Sequence, residues 1–420
     1  YDMFAWDMAR FGPWADAAFT KARVGDQYAH RFAIHFPNEE RAAGRPVRTR
    51  PIYDTQRAMG AVMGQSFGWE HPLWFAAEPG TQDSNGFTRQ NWWAPVGAEC
   101  RMLRARAGII DISNFAKYVV QGAGAQGWLD AIFANKMPSK IGGSCLTPLI
   151  SKRGGVAGDF TVTRVEDTEY WIIGSGVAER YHQRYFQQVP LPEGTTFESK
   201  TDSVCGFNVA GPKARILLQR LTNTSLETVD FPFMQSRRCV FAGVEVVALR
   251  VSFTGDLGWE LHCDAADQST LYAALLEAGQ DVDAGPVGSR ALMSLRLEKG
   301  YGSWSREYSP EYWPHEVGLD RLCKLETSFL NKTALSEVLQ QPARERLVLL
   351  AIDTAAASAS DADATGGEPI FKDGVGIGRV TSGGYGYSVD MSLALGFVKG
   401  AKAGDRVEVF ILGRPHAARI

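Results

Sequence analysis

From residue 96 onward, apolar and polar positions fall into short runs that alternate between helical and extended periods. Residues 99–108 carry a helical period that stops at Gly108; residues 117–121 alternate as a strand ending at Gly122, and 125–134 are again helical. Strands are predicted at 147–151, 158–165 and 170–174, joined by hairpin turns at 152–155 and 166–168. A second unit starts near Ser203, with strands at 204–210, 244–253 and 258–264 and helices at 212–221, 269–278 and 289–298. Two successive α+β units of similar order suggest an internal duplication, although no residue-level repeat is visible. Residues 355–367, rich in Ala, Ser, Asp and Gly, are expected to form an exposed loop. Glycine-punctuated strands at 377–382, 392–398 and 406–411 follow, which is an all-β end unit, either a small barrel or a sandwich.

The front of the chain lacks this order. Up to about residue 80 it is rich in aromatics and Arg, and the segment PNEERAAGRPVRTRP (37–51) interrupts any periodicity. The expectation is an irregular connector with one helix within 15–36, shaped as an arm that packs against something else. A polar, Gly-containing bridge at 78–86 follows it. The organisation predicted is a connector arm (1–85), two α+β units (86–200 and 201–340) and a β-barrel-like end (341–420).

Composition adds constraints. The 420 residues suit two to four packed units, and 45% apolar with 22% charged residues is ordinary for a soluble globular protein. A net charge of −3 gives no support for a nucleic-acid partner, though a local basic patch for an anionic cofactor stays open. Six scattered cysteines without a C-x-x-C point to buried thiols in a reducing compartment, taken here as the cytoplasm. Neither a signal peptide nor a bilayer-length apolar run is present, so no membrane role is expected, and no histidine cluster has metal-ligand spacing. The opening Tyr1-Asp2-Met3 suggests numbering that begins inside a longer translation product, or after processing.

Three segments carry candidate chemistry. In Ser151-Lys-Arg-Gly-Gly-Val-Ala-Gly-Asp159-Phe-Thr-Val-Thr163, an acid lies just inside a strand, where Asp is unfavoured. A turn hydrogen bond accounts for it as well as a carboxylate projected into a pocket to relay a proton. In Phe253-Thr-Gly-Asp-Leu-Gly-Trp-Glu260-Leu-His262, strand alternation places Glu260 and His262 on one face and Trp259 and Leu261 on the other. Glu260 is either a solvent-facing acid or a bidentate grip for adjacent N–H donors on a flat heterocycle; His262 is taken as a surface residue. On the helix of 289–298, Arg290 stands near the N-terminus, which the helix dipole disfavours, and a ligand rich in acceptors would justify it. Arg296 and Glu298 fit a structural ion-pair set.

Taken in order, these residues resemble the aminomethyltransferase (glycine-cleavage T protein) superfamily. The resemblance runs through Gly108-Ile-Ile-Asp-Ile-Ser113, the Gly154-Gly155…Asp159 hairpin, Val209-Ala-Gly-Pro212, Thr254-Gly-Asp-Leu-Gly-Trp-Glu260, Leu295-Arg-Leu-Glu298 and Gly378-Arg-Val-Thr-Ser382. The front segments Asn38-Glu-Glu-Arg41, 44–54 and 67–75 resemble the link between flavin and folate domains in dimethylglycine and sarcosine dehydrogenases. The resemblance implies an α+β cloverleaf of three units around a central tetrahydrofolate channel, the last unit a barrel. It also implies that Asp159 is the acid beside the reacting folate nitrogens and that Glu260 grips the pterin ring. Phe253 stands where the family commonly has Tyr, and Arg290 is the nearest candidate for a ligand-binding arginine, although its spacing is longer. Gly158 replaces a second acid of the T protein.

The implied function is one-carbon acceptance: formaldehyde or an iminium from a methylated amine, captured as 5,10-methylene-tetrahydrofolate. FAD would belong to a partner domain or subunit outside this sequence, since no G-x-G-x-x-G flavin turn is present. A stand-alone folate-dependent methyl- or aminomethyltransferase and a non-catalytic folate-binding subunit are the alternatives.

Overall fold

The computed structural model describes residues 4–353 and 361–420. Residues 355–360 of the expected 355–367 loop therefore lie outside the described residues. Its described end is tied down, with Asp363 accepting from Arg89 Nε and Nη2 at 2.9 and 2.7 Å and Ala364 fully buried.

The front segment is more ordered than its sequence suggests. Helix α1 (Ala17–Ala29) is capped by the Asp16 carboxylate, and α2 (Tyr53–Ala58) leads into a hairpin of β1 (Ala61–Ser66) and β2 (Trp69–Phe75). Strand β2 buries Trp69, Leu73 and Trp74, so the hairpin is anchored in the body of the molecule. Trp69 lies under the guanidinium groups of both Arg48 and Arg50. Arg50 in turn donates to the main-chain carbonyls of Ser113, Thr201 and Asp202.

After α3 (Trp93–Ala105) and β3 (Gly108–Asp111) come two sheets. The first unit contains β4 (Ala116–Gln121), α4 (Ala125–Ile132), β5 (Ser144–Ile150), β6 (Val156–Arg164), β7 (Glu169–Gly174), α5 (Glu179–Phe186) and β8 (Thr196–Ser199). The second contains β9 (Val204–Ala210), α6 (Ala214–Gln219), β10 (Ser236–Phe241), β11 (Val244–Leu249), β12 (Gly258–Asp264), α7 (Gln268–Gln280), β13 (Gly285–Val287) and α8 (Ser289–Leu297). Their strand orders are β5-β6-β7-β4-β8 and β10-β11-β12-β9-β3-β13. In each, a strand, a helix and a three-strand meander wind so that the last meander strand pairs with the first strand. The duplication suggested by the residue pattern is thus a duplication of topology.

Each sheet buries its outer face under its own helices. In the first, Tyr118, Val120, Phe160, Val162, Tyr170 and Ile172 pack under α4 and α5. In the second, Phe207, Val209, Trp259 and Leu261 pack under α6 and α7. The inner faces meet through Trp171, Val119, Val204 and Val247. After α9 (Lys332–Leu339), strands β14 (Arg346–Ile352), β15 (Pro369–Lys372), β16 (Val375–Gly386), β17 (Met391–Val398), β18 (Arg406–Ile411) and β19 (Arg414–Arg419) close into a six-stranded barrel. Closure leaves no free sheet edge, which a sandwich would retain. Among the described residues, no helix is long and apolar enough to cross a membrane.

Candidate functional site

Alternation along β6 turns Phe160 and Val162 outward into the helix-covered core and leaves Asp159 and Thr161 on the inner face. The turn before it is closed without Asp159. Ser151 Oγ accepts from the Gly155 and Arg153 amides, and the Gly154 amide donates to the Ser151 carbonyl. The turn explanation for Asp159 therefore falls away. Burial pushes its carboxyl up to about 6, opposed by a hydrogen bond from its own main-chain amide. Tyr308 is its electrostatic neighbour; its phenol is held well above the usual range by burial, with the Asp159 charge adding to the effect.

Gly158 faces the other way. A Cβ there would lie 2.6 Å from the Phe160 ring and 2.9 Å from His182 Nε2. The absent second acid is thus a steric requirement: His182, fully buried among Phe160, Tyr181 and Trp304, occupies that space. Burial depresses its imidazole to about 3, and its ring nitrogens have no well-formed hydrogen-bond partner.

On the facing sheet, β12 sends Trp259 and Leu261 into the core and presents Glu260 and His262 inward, as the alternation predicts. His262 is not the surface residue expected from the sequence. It is 1% exposed, with Nε2 3.2 Å from Glu260 Oε2. Asn208, opposite Glu260 on β9, is spent on main-chain acceptors, the carbonyls of Val251 and Trp259. Across the interface stands Lys117 of β4, fully buried, whose ammonium donates to the carbonyls of Ile112, Ser113 and Phe115. Burial, reinforced by the Arg50 charge, lowers it to about 8, while Glu260 and Asp111 act in the opposite sense. Lys117 did not stand out in the sequence, where it is an isolated polar residue in a strand, and His262 shared a face with Glu260 but was taken as exposed.

Phe253 follows β11 and stacks on Tyr301 with ring centroids 5.9 Å apart. It rests on the apolar cluster formed by α3, α8 and the hairpin. Arg290 departs from expectation: its two Nη groups form a fork with the Asp83 carboxylate at 2.8 and 2.5 Å. Asp83 also accepts from Trp74 Nε1. The cation at the start of α8 is therefore neutralised from within the chain, by a residue on the polar bridge. Arg296 and Glu298 are structural but not paired with each other. Arg296 binds Glu307 and Ser382, and Glu298 binds Arg104 and the Ser388 amide. Together they clamp α8 to the barrel.

A cavity of about 290 Å³ lies between the front segment, α8 and β16, lined among others by Glu40, Trp92, Arg290, Met293, Arg306 and Tyr385. Asp159, Glu260 and Phe253 are not on its wall. The structure thus sets Asp159 and Glu260 on facing inner surfaces, while Arg290 lines the cavity beside the front segment.

Comparison with known proteins agrees with this architecture. Residues 52–327 match the GCVT N-terminal domain family, and residues 346–420 match the glycine cleavage T-protein C-terminal barrel domain. The chain belongs to the GCVT family. Its first 49 residues match the FAD dependent oxidoreductase central domain. Among curated relatives, it is 35% identical over its whole length to mitochondrial dimethylglycine dehydrogenase of Mus musculus, covering 48% of that protein. It is 27% identical over 96% of its length to mitochondrial sarcosine dehydrogenase of the same species, again covering 48%. The chain spans about half the length of the curated relatives it matches. Among solved structures, the glycine cleavage system aminomethyltransferase T from Bartonella henselae superposes with a TM-score of 0.76 at 24% identity, covering 89% of this chain and 96% of that one. That likeness bears on the fold.

Proposed function

We propose that this chain binds tetrahydrofolate between its two α+β units and accepts a one-carbon unit, as formaldehyde or an iminium, released from a methylated amine of the dimethylglycine or sarcosine type. When bound, tetrahydrofolate supplies two nucleophilic nitrogens that take up the carbon as a 5,10-methylene bridge. The supporting observation is the pair of facing carboxylates in contrasting settings. Among the described residues Asp159 has no side-chain hydrogen-bond partner, and burial pushes its carboxyl up to about 6, which suits a group that takes and returns a proton near neutrality. Glu260 has one oxygen held by His262, leaving its remaining acceptor sites for adjacent ring N–H donors. Phe253 contributes an aromatic surface without the hydroxyl of a tyrosine.

The amine-oxidising step belongs to a flavin-bearing partner domain or subunit. Two observations support this: the oxidoreductase match of residues 1–49, and the exposed apolar side chains of that segment, including Trp6, Met8, Tyr28, Phe32 and Ile34. Six free cysteines accord with a reducing compartment.

Titration of the purified chain with tetrahydrofolate, followed by tryptophan fluorescence, tests this directly. Saturable binding that weakens in Glu260→Ala is expected; absence of binding by the unaltered chain overturns it. Product analysis separates the alternative: 5-methyl-tetrahydrofolate formed without a partner would mark a stand-alone methyltransferase.

A further inference from the structure

The folate reading leaves open what aims Glu260. A glutamate side chain loses rotamer freedom on being fixed, and among the described residues the one basic side chain within ion-pair distance of this one is the histidine two residues along. His262 shares its face, is buried, and approaches Glu260 Oε2 with Nε2 at 3.2 Å. The ring fits there because Gly206, opposite it on β9, has no side chain: a Cβ would come within 2.8 Å of His262 Nδ1. Trp171 closes the other side, with its ring centroid 6.1 Å away. Nδ1 is buried without a partner. Burial lowers His262 below the ordinary imidazole range, so the ring is neutral near pH 7. An ionised carboxylate only accepts hydrogen bonds, so the proton shared with Oε2 must be carried by Nε2.

We infer that His262 is a positioning residue for Glu260: its Nε2–H pins Oε2 and thereby orients the carboxylate toward the space between the two sheets. Each carboxylate oxygen has two acceptor sites, so Oε2 can serve His262 and a ligand together. Lys117, locked by three carbonyls on the facing sheet, supplies a fixed positive charge that acts on Glu260 without competing for its oxygens. Gly206, Trp171 and Lys117 together form a seat whose purpose is the direction of one carboxylate. This inference rests on the folate reading, and the experiment separates the two.

The test is a double-mutant cycle on the full chain, reading the tetrahydrofolate dissociation constant by fluorescence. His262→Leu should weaken binding about tenfold, the worth of one hydrogen bond to a charged group. His262→Gln, which places an amide N–H near the position of Nε2, should recover most of that loss. In a Glu260→Ala background, His262→Leu should cause no further loss. Equal loss in both backgrounds, or none in the unaltered chain, would overturn the inference. Imidazole nitrogen NMR of the folate-free protein gives a readout that needs neither ligand nor the leucine variant. An Nε2-protonated neutral ring whose shifts move in Glu260→Ala supports the pair. An Nδ1-protonated ring, or one blind to Glu260, refutes it even if folate fails to bind.

Discussion

The two α+β units are built to one plan and differ in what they do with a half-buried acid on the inner face. Each winds a strand, a helix and a meander in the same order, and each turns one face to helices and one to its twin. Asp159, on the middle meander strand of the first unit, faces inward with no donor beyond its own amide among the described residues, and desolvation raises it. Glu260, on the last meander strand of the second, has a histidine donor beside it and a lysine across the interface. In the function proposed above, equivalent scaffolds hold one carboxylate free to change its protonation state and one held as an acceptor. The division of labour comes from the neighbours, not from the fold.

The largest expected effect breaks the contrast at Asp159. Asp159→Asn should lower turnover about 10²–10⁴-fold, the usual worth of a positioned acid–base group, with tetrahydrofolate affinity little changed. Rapid-mix formation of methylene-tetrahydrofolate against a separate binding titration distinguishes the two parameters. Glu260→Gln should do the reverse. Affinity should drop about 10–100-fold while the rate at saturating folate stays within a few-fold. A large rate defect in this variant would show that the two acids are not divided in this way.

Stability against pH sharpens the comparison further. Because Asp159 is raised from 3.8 to about 6, the folded chain favours its neutral form. Its contribution is fully present below pH 4 and is lost as pH rises through about 6. Asp159→Asn should therefore be more stable than the unaltered chain by about 1–3 kcal/mol at pH 8 and equal to it at pH 4, measured by urea unfolding. Smallest and most local is Gly158→Ala, whose methyl meets Phe160 and His182. It should destabilise by about 1–2 kcal/mol without shifting folate affinity.

Much of this was legible in the residue pattern. Strands β9, β12 and β18 fall where alternation puts them, and the same parity places Glu260 and His262 on one face. The hairpin β1–β2 was not legible. Its second strand is buried at nearly every position and contains Pro72, and a register shift at Val62 and Met63 breaks its first strand. A strand covered on both faces shows no period of two. The burial of His262 escaped for a related reason: its cover, Trp171 and Gly206, comes from other strands. The fork between Asp83 and Arg290 joins residues 207 apart in the chain, and no local spacing could announce it.

The boundary between the oxidoreductase-like and GCVT-like stretches falls between residues 49 and 52, and Arg50 lies within it. Its guanidinium answers carbonyls at Ser113, Thr201 and Asp202, while Trp69 of the hairpin supports it from below. A gene fusion or truncation joined at that seam would leave three acceptors without their donor, two of these bonds being buried. A folding unit that keeps these bonds must then begin no later than Arg50, ahead of the segment that family resemblance marks out.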